Sequence, residues 1–273
     1  MLNFRVDQER CIQCGECAED CPTGVITLDD YPQLTNEGGC IQCQHCLAIC
    51  PTAALSILDK DPDASTSLAG NLPDPAQLTT LIKGRRSIRR YRERDLDPEV
   101  IDELLHKASH APTGVNAQGV LFTVIKQRAE LNKLHEAMIA RLDEMKKNNQ
   151  LPTDGTAPYL KMVINGWQEK GQDVLFRGAP HLLITSSPSA APCPVQDNII
   201  ALANFELLAQ SHGVGAVWDG IFMMALAACP ELVPQLGIPA NHTLGYAMAF
   251  GAPAVEYQRT VQRGPALINE VQL

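Results

Sequence analysis

Residues 11–22 read CIQCGECAEDCP, and residues 40–51 read CIQCQHCLAICP. Each stretch places four cysteines in the order C-x2-C-x2-C-x3-C and follows the last with proline. Eight of the ten cysteines in the 273-residue chain lie in these two runs. Thiolate is a soft ligand, and this spacing is the one by which a short chain wraps two four-iron, four-sulfur clusters, the fourth cysteine of each run crossing to the other cluster. Cluster one would use Cys11, Cys14, Cys17 and Cys50. Cluster two would use Cys40, Cys43, Cys46 and Cys21. Zinc also uses C-x2-C pairs, but a duplicated four-cysteine run with proline after each copy favours iron–sulfur.

The duplication extends past the cysteines. PTGVITLDD (22–30) matches PTAALSILD (51–59), so each copy ends in a short apolar segment with β character. A disulfide framework usually goes with small secreted chains, and at 273 residues with no signal-peptide pattern this chain is expected to be neither. Cys193 and Cys229 stand alone and are expected to be structural or merely tolerated.

Charge follows the same division. Residues 1–76 hold twelve acids against Arg5, Arg10 and Lys60, and residues 77–273 hold nineteen acids and nineteen bases. All of the net charge of −9 therefore belongs to the cysteine-rich segment, which would repel phosphate and argues against a nucleic-acid partner. No run of eighteen apolar residues occurs, so no membrane span is expected. The N-terminus lacks the basic-then-apolar order of a signal peptide, and the expected location is the cytoplasm.

Between the two parts, DKDPDASTSLAGNLPDPA (59–76) carries four aspartates and three prolines and has the composition of an exposed connector. The expected domains are thus 1–58, a linker over 59–76, and 77–273. In the second part AQLTTLIKGRRS reads as a short helix running into a basic turn. Asp97 caps a helix that has Pro98 in its first turn. APTGVNAQ (111–118) is a loop and VLFTVIK (120–126) a strand. Helices are expected over 129–148, 158–177, 195–213 and about 221–228, with further strands at 181–187 and 242–253. Three strands separated by long helices argue for an α+β or α/β sheet covered by helices.

The most unusual composition there is KGRRSIRRYRER (83–94), seven bases against one acid. Interleaving with Ser87, Ile88 and Tyr91 distinguishes it from a disordered tail. Arginine forks beside a hydroxyl suit a phosphate monoester. His106 and His110, four apart on a helix, lack the H-E-x-x-H frame of a metal site. The G-x-S-x-G, G-x-x-x-x-G-K and G-x-G-x-x-G motifs are absent, which removes the common hydrolase, P-loop and Rossmann readings.

Residues 1–58 resemble a bacterial-type two-cluster [4Fe-4S] ferredoxin. The second part resembles the nitroreductase family of flavin enzymes in four features in register. These are the motif Arg85–Tyr91, the A-P-[ST]-x-x-N-x-Q loop Ala111–Gln118, the long apolar helix ending in Gly213-Val214-Gly215, and Gly251-Ala252-Pro253 with Arg259 and Arg263 beyond. The resemblance implies an α+β fold, a small ferredoxin-like domain followed by an α/β sandwich with a mainly antiparallel sheet. It also implies FMN and an intertwined homodimer. Arg85, Arg86, Ser87 and either Arg259 or Arg263 would hold the phosphate. Arg89 and Asn116 would approach the isoalloxazine or ribityl part, with Gln118 nearby. The Asn116 amide can donate and accept at the pyrimidine edge, and Arg89 near N1 would stabilise the reduced flavin. Asp219-Gly220 stands where other members carry Glu-Gly near the flavin, and Gly119-Val120 where many carry Pro-Trp.

The implied activity is an iron–sulfur flavoprotein oxidoreductase that passes electrons between clusters and FMN to reduce a small electrophile such as a nitroaromatic or quinone. NAD(P)H or a ferredoxin-type protein would be the donor, and no obligatory side-chain acid or base is visible. The alternatives are an electron-transfer module serving a protein partner, or an FMN-dependent biosynthetic or dehalogenating enzyme.

Overall fold

The structure is a computed structural model that describes all residues, 1–273. The chain groups into two compact units, Met1–Asp74 with Val115–Ala117, and Pro75–Gly114 with Gln118–Leu273.

In the first unit, β1 (Arg5–Val6) pairs antiparallel with β4 (Leu55–Ser56), and β2 (Ile26–Leu28) with β3 (Pro32–Leu34). Two short helices, α1 (Glu16–Glu19) and α2 (His45–Ile49), each start one residue before the third cysteine of a run. Each follows a residue in the left-handed region, Gly15 (φ 83°) and Gln44 (φ 61°). The sequence repeat is thus a structural repeat. A small core of Leu2, Ile26, Leu47, Leu55 and Ile57 includes the thiols of Cys17 and Cys46.

The expected connector does not begin at residue 59. Asn3 Nδ2 donates to both carboxylate oxygens of Asp59 at 2.9 Å, and the Arg10 guanidinium forks onto Asp63 at 2.8 Å. Asp61 caps a 3-10 turn, Pro62–Ala64. The aspartates that made this stretch look like linker therefore tie its first part back onto the first unit.

The second unit contains one four-stranded antiparallel sheet in the order β5-β6-β8-β7, from β5 (Leu121–Ile125), β6 (His181–Pro188), β7 (Gly215–Trp218) and β8 (His242–Gly251). Helices α3 (Pro75–Gly84), α4 (Pro98–Ala108), α5 (Arg128–Lys147), α6 (Ala157–Lys170), α7 (Pro194–Ser211) and α8 (Gly220–Ala228) make up the rest. Alternation along the strands divides the core in two. Leu182, Ile184, Ala247 and Ala249 pack with α5, α6 and α8, while Leu183, Met248 and Phe250 pack with α4 and α7.

Two expectations need correction. The sheet has four strands, not three, because the four-residue β7 is too short to show a period. Helix α6 stops at Lys170, not 177, because Gly171 takes the left-handed cap (φ 60°) and the Asp173 carboxylate then accepts the N–H groups of Phe176 and Gly178. The expected Asp97 cap is present, its carboxylate accepting the Glu99 N–H at 3.0 Å. No helix is long and apolar enough to cross a membrane.

Candidate cofactor sites

In the first unit the eight run cysteines line two separate hollows. Cys11, Cys14, Cys17 and Cys50 line one, and Cys21, Cys40, Cys43 and Cys46 line the other. The fourth cysteine of each run does cross to the opposite set. No three Cys, His, Asp or Glu side chains converge tightly enough to hold a single ion. Four thiols spaced around a hollow fit a polynuclear cluster better than a zinc ion.

The thiols divide by environment. Burial pushes Cys17 up, helped by Cys50, Cys14 and Cys11, and pushes Cys46 up to about 11, helped by Cys43 and Cys40. At the crossing cysteines burial also works upward, but hydrogen bonds outweigh it. The backbone N–H groups of Thr23, Val25 and Gly24 pull Cys21 below the usual thiol range, and those of Ala54, Thr52 and Leu55 do the same for Cys50. The Ala54 N–H reaches Cys50 Sγ at 3.2 Å. N–H donors of this kind stabilise a ligating thiolate and tune the group it holds.

In the second unit the basic motif leaves α3 and runs along the sheet. The Ile88 N–H donates to Ala216 O at 3.0 Å, and the Tyr91 hydroxyl donates to Ile88 O at 2.8 Å. Ile88 is buried so tightly that a Cβ on Gly215 would stand 2.6 Å from its Cγ1. With Ile88 anchored inward, Arg85 and Arg86 reach a cleft of about 580 Å³ lined also by Ile82, Lys83, Val261, Gln262 and Arg263. That is the size range of small-molecule sites. Arg259 lines a different cleft, with Ile88, Gln210 and Tyr257. Ser87 and Arg89 line neither cleft, and Arg89 Nη1 donates to Ser87 O at 3.4 Å.

The Ala111–Gln118 loop is strained. Val115, Asn116 and Gln118 all adopt left-handed backbone (φ 48°, 56° and 48°), costly above all for a β-branched residue, and such strain gathers at functional sites. The loop is pinned where it meets α7, since the buried Asp197 carboxylate accepts the Gly114 N–H at 3.0 Å. A Cβ on Gly114 would lie 2.8 Å from Cys193 Sγ, so that half-buried cysteine has a packing role. Cys229 is fully buried in the core. Asn116 Nδ2 donates to Ile41 O at 2.9 Å within the first unit, and the Gln118 N–H donates to Thr113 Oγ1 at 2.9 Å.

Asp219 and Gly220 have clear structural duties. Asp219 Oδ1 accepts the Phe222 N–H at the start of α8, and a Cβ on Gly220 would meet the Tyr246 hydroxyl at 2.6 Å. Neither residue lines either cleft. His106 and His110 pack edge-to-face with centroids 5.8 Å apart, and His110 lies past the end of α4 rather than on the helix with His106.

Sequence reasoning missed Lys83 and Glu206. Glu206 accepts from Arg85 Nη1 at 2.8 Å and from Trp218 Nε1 at 3.0 Å while only 8% exposed. A lone acid in the middle of the apolar helix 195–213 was the available signal, because buried acids are almost always paired.

Comparison with known proteins follows the two units. The model of the nitroreductase family matches residues 82–252, and that of the 4Fe-4S dicluster domain matches residues 10–55. A protein of Methanothermobacter thermautotrophicus described as a putative NADH dehydrogenase/NAD(P)H nitroreductase is 31% identical over 178 residues, 59% of this chain and 76% of the relative. Two solved structures share the fold. A nitroreductase with bound FMN from Desulfitobacterium hafniense has TM-score 0.55 and 20% identity, over 72% of this chain and 100% of that one. Another with bound FMN, from Bacteroides fragilis, has TM-score 0.54 and 23% identity, over 71% and 99%.

Proposed function

Because the chain belongs to the nitroreductase family and carries a 4Fe-4S dicluster domain ahead of the family region, we propose that it is an iron–sulfur flavoprotein in which two [4Fe-4S] clusters and FMN exchange electrons to reduce a small electrophile, such as a nitroaromatic or a quinone. The observation that carries this reading is the crossed arrangement of Cys21 and Cys50, which completes two four-thiol hollows. When bound, the clusters would carry single electrons and the flavin would exchange one or two, so together they would join one-electron and two-electron chemistry.

The residues divide this work. Cys11, Cys14, Cys17 and Cys50 would hold cluster one, and Cys40, Cys43, Cys46 and Cys21 cluster two. Arg85, Arg86 and Arg263, with Lys83, supply a cationic cleft suited to the FMN phosphate. Ser87 and Arg259 lie outside that lining and would contribute at its margin at most. Arg89, Asn116 and Gln118 would serve the ring and ribityl side, and Asp219-Gly220 would shape its surroundings through the α8 cap. Donor candidates are NAD(P)H, as in the name of the Methanothermobacter relative, and a ferredoxin-type protein. The reading places the protein in the cytoplasm as a homodimer, in an environment that keeps thiols reduced.

The test is anaerobic purification with iron, sulfide and flavin analysis. About eight irons and one FMN per chain support the proposal, whereas zinc without sulfide overturns its first half. Rapid flavin bleaching by NADH or NADPH in stopped flow identifies a nicotinamide donor. Failure to turn over nitroaromatics or quinones with any reduced donor overturns the assigned substrate class.

A further inference from the structure

Glu206 is the most deeply placed charge next to the cationic cleft. It projects from the middle of α7 and is 8% exposed, where a carboxylate is costly unless both oxygens find donors. Both do, and the donors come from two other elements. Oε1 accepts from Arg85 Nη1 at 2.8 Å and Oε2 from Trp218 Nε1 at 3.0 Å. Trp218, at the end of β7, packs against Tyr246 at a tilt of 54° with centroids 5.6 Å apart, so the indole is itself held. The bond to Glu206 spends Nη1 of Arg85 and leaves Nε and Nη2 as an edge that can fork onto an oxyanion. Arg85 also lines the cleft with Lys83, Arg86 and Arg263.

We propose that Glu206, clamped by Trp218, is a positioning residue that presents Arg85 to the phosphate of FMN. The inference rests on the reading that this cleft takes the FMN phosphate. Removing the carboxylate has two opposed effects. It deletes a negative charge that repels phosphate, which would tighten binding. It also frees a long, rotamer-rich side chain that must then be ordered when phosphate arrives, which loosens binding. Three further cations remain on the cleft to attract the anion, so the orienting effect prevails.

The experiment compares FMN with riboflavin, which lacks the phosphate, by fluorescence titration of flavin-depleted full-length protein. Wild type should bind FMN far more tightly than riboflavin. Glu206→Gln should weaken FMN about tenfold, the scale of one charge-assisted hydrogen bond, with riboflavin unchanged. Trp218→Phe, which leaves the carboxylate but removes its second donor, should move FMN in the same direction by less. Equal weakening of FMN and riboflavin in both variants would show a purely structural ion pair and overturn the proposal, as would unchanged FMN affinity. If wild type itself does not discriminate, the phosphate reading of the cleft fails and the positioning role falls with it. Thermal melts identify a variant that has not folded, and if Glu206→Gln is such a variant, Trp218→Phe decides the question.

Discussion

Asp219 Oδ1 accepts the Phe222 N–H at 3.0 Å, while Asp219 Oδ2 is buried with no partner at all. One oxygen starts a helix and the other is stranded in the core. Burial pushes the carboxyl up to about 7; the Phe222 N–H pulls downward, Asp173 adds to the rise and Arg177 opposes it. Tyr91 feels the same charge, its hydroxyl being raised by burial and then by Asp219. The folded state therefore keeps a proton that the unfolded chain releases near the usual Asp range. Stability should fall as pH rises from about 4 to 7 and level off above that. Asp219→Asn, which keeps the cap, should flatten this decline and gain on the order of a few kcal/mol at pH 8 relative to wild type. Denaturation at pH 5 and pH 8 checks it, and parallel profiles for the two proteins would refute it.

The crossed thiols predict which pairs of cysteine losses are redundant. Cys11→Ser with Cys50→Ser damages one hollow, because both line it. That double variant should retain one cluster, about four irons per chain. Cys40→Ser with Cys50→Ser touches both hollows and should retain neither. Iron and sulfide analysis distinguishes this from an uncrossed arrangement, which gives the reverse result.

The two late arginines should separate. Arg263 shares the cleft with Arg85 and Arg86, and Arg259 does not. Arg263→Gln should loosen FMN about tenfold and leave riboflavin alone, whereas Arg259→Gln should change either by less than about twofold. The same fluorescence titration reads both, and the opposite ranking would move the phosphate site to the second cleft.

Gly215 and Ile88 should behave as a coupled pair. A Cβ on Gly215 would approach three carbons of the Ile88 side chain, the nearest at 2.6 Å. Gly215→Ala should cost about 1–3 kcal/mol through overpacking. Adding Ile88→Ala should recover part of that loss, so that a double-mutant cycle by urea denaturation gives a coupling above about 0.5 kcal/mol. Additive losses would mean that the motif does not pack on β7 as described.

Legibility differed by the range of the interaction. The Asp97-Pro98 cap and the glycine after α7 are local, so they show in a few adjacent residues. The strand Gly215–Trp218 is equally local but too short for a period to register. The end of α6 depended on one glycine whose alternative, an unbroken helix, has the same apolar pattern. The linker composition misled for a physical reason. Aspartates signal exposure in a sequence, yet Asp59 and Asp63 are used here as acceptors for Asn3 and Arg10, more than fifty positions earlier.

The sequence by itself determined the chemistry of the first unit. Number, order and spacing of the thiols dictate what they can ligate, and the repeat dictates that there are two sets. It also determined that a basic, hydroxyl-bearing motif follows, suited to a phosphate. Only the tertiary structure decided which late arginine shares a cleft with that motif. It alone showed that Glu206, 121 positions from Arg85, holds the guanidinium, and that Asp219 is buried as a helix cap. Each of these depends on packing between distant segments, and periodicity and spacing carry no information about which buried charges come to face one another.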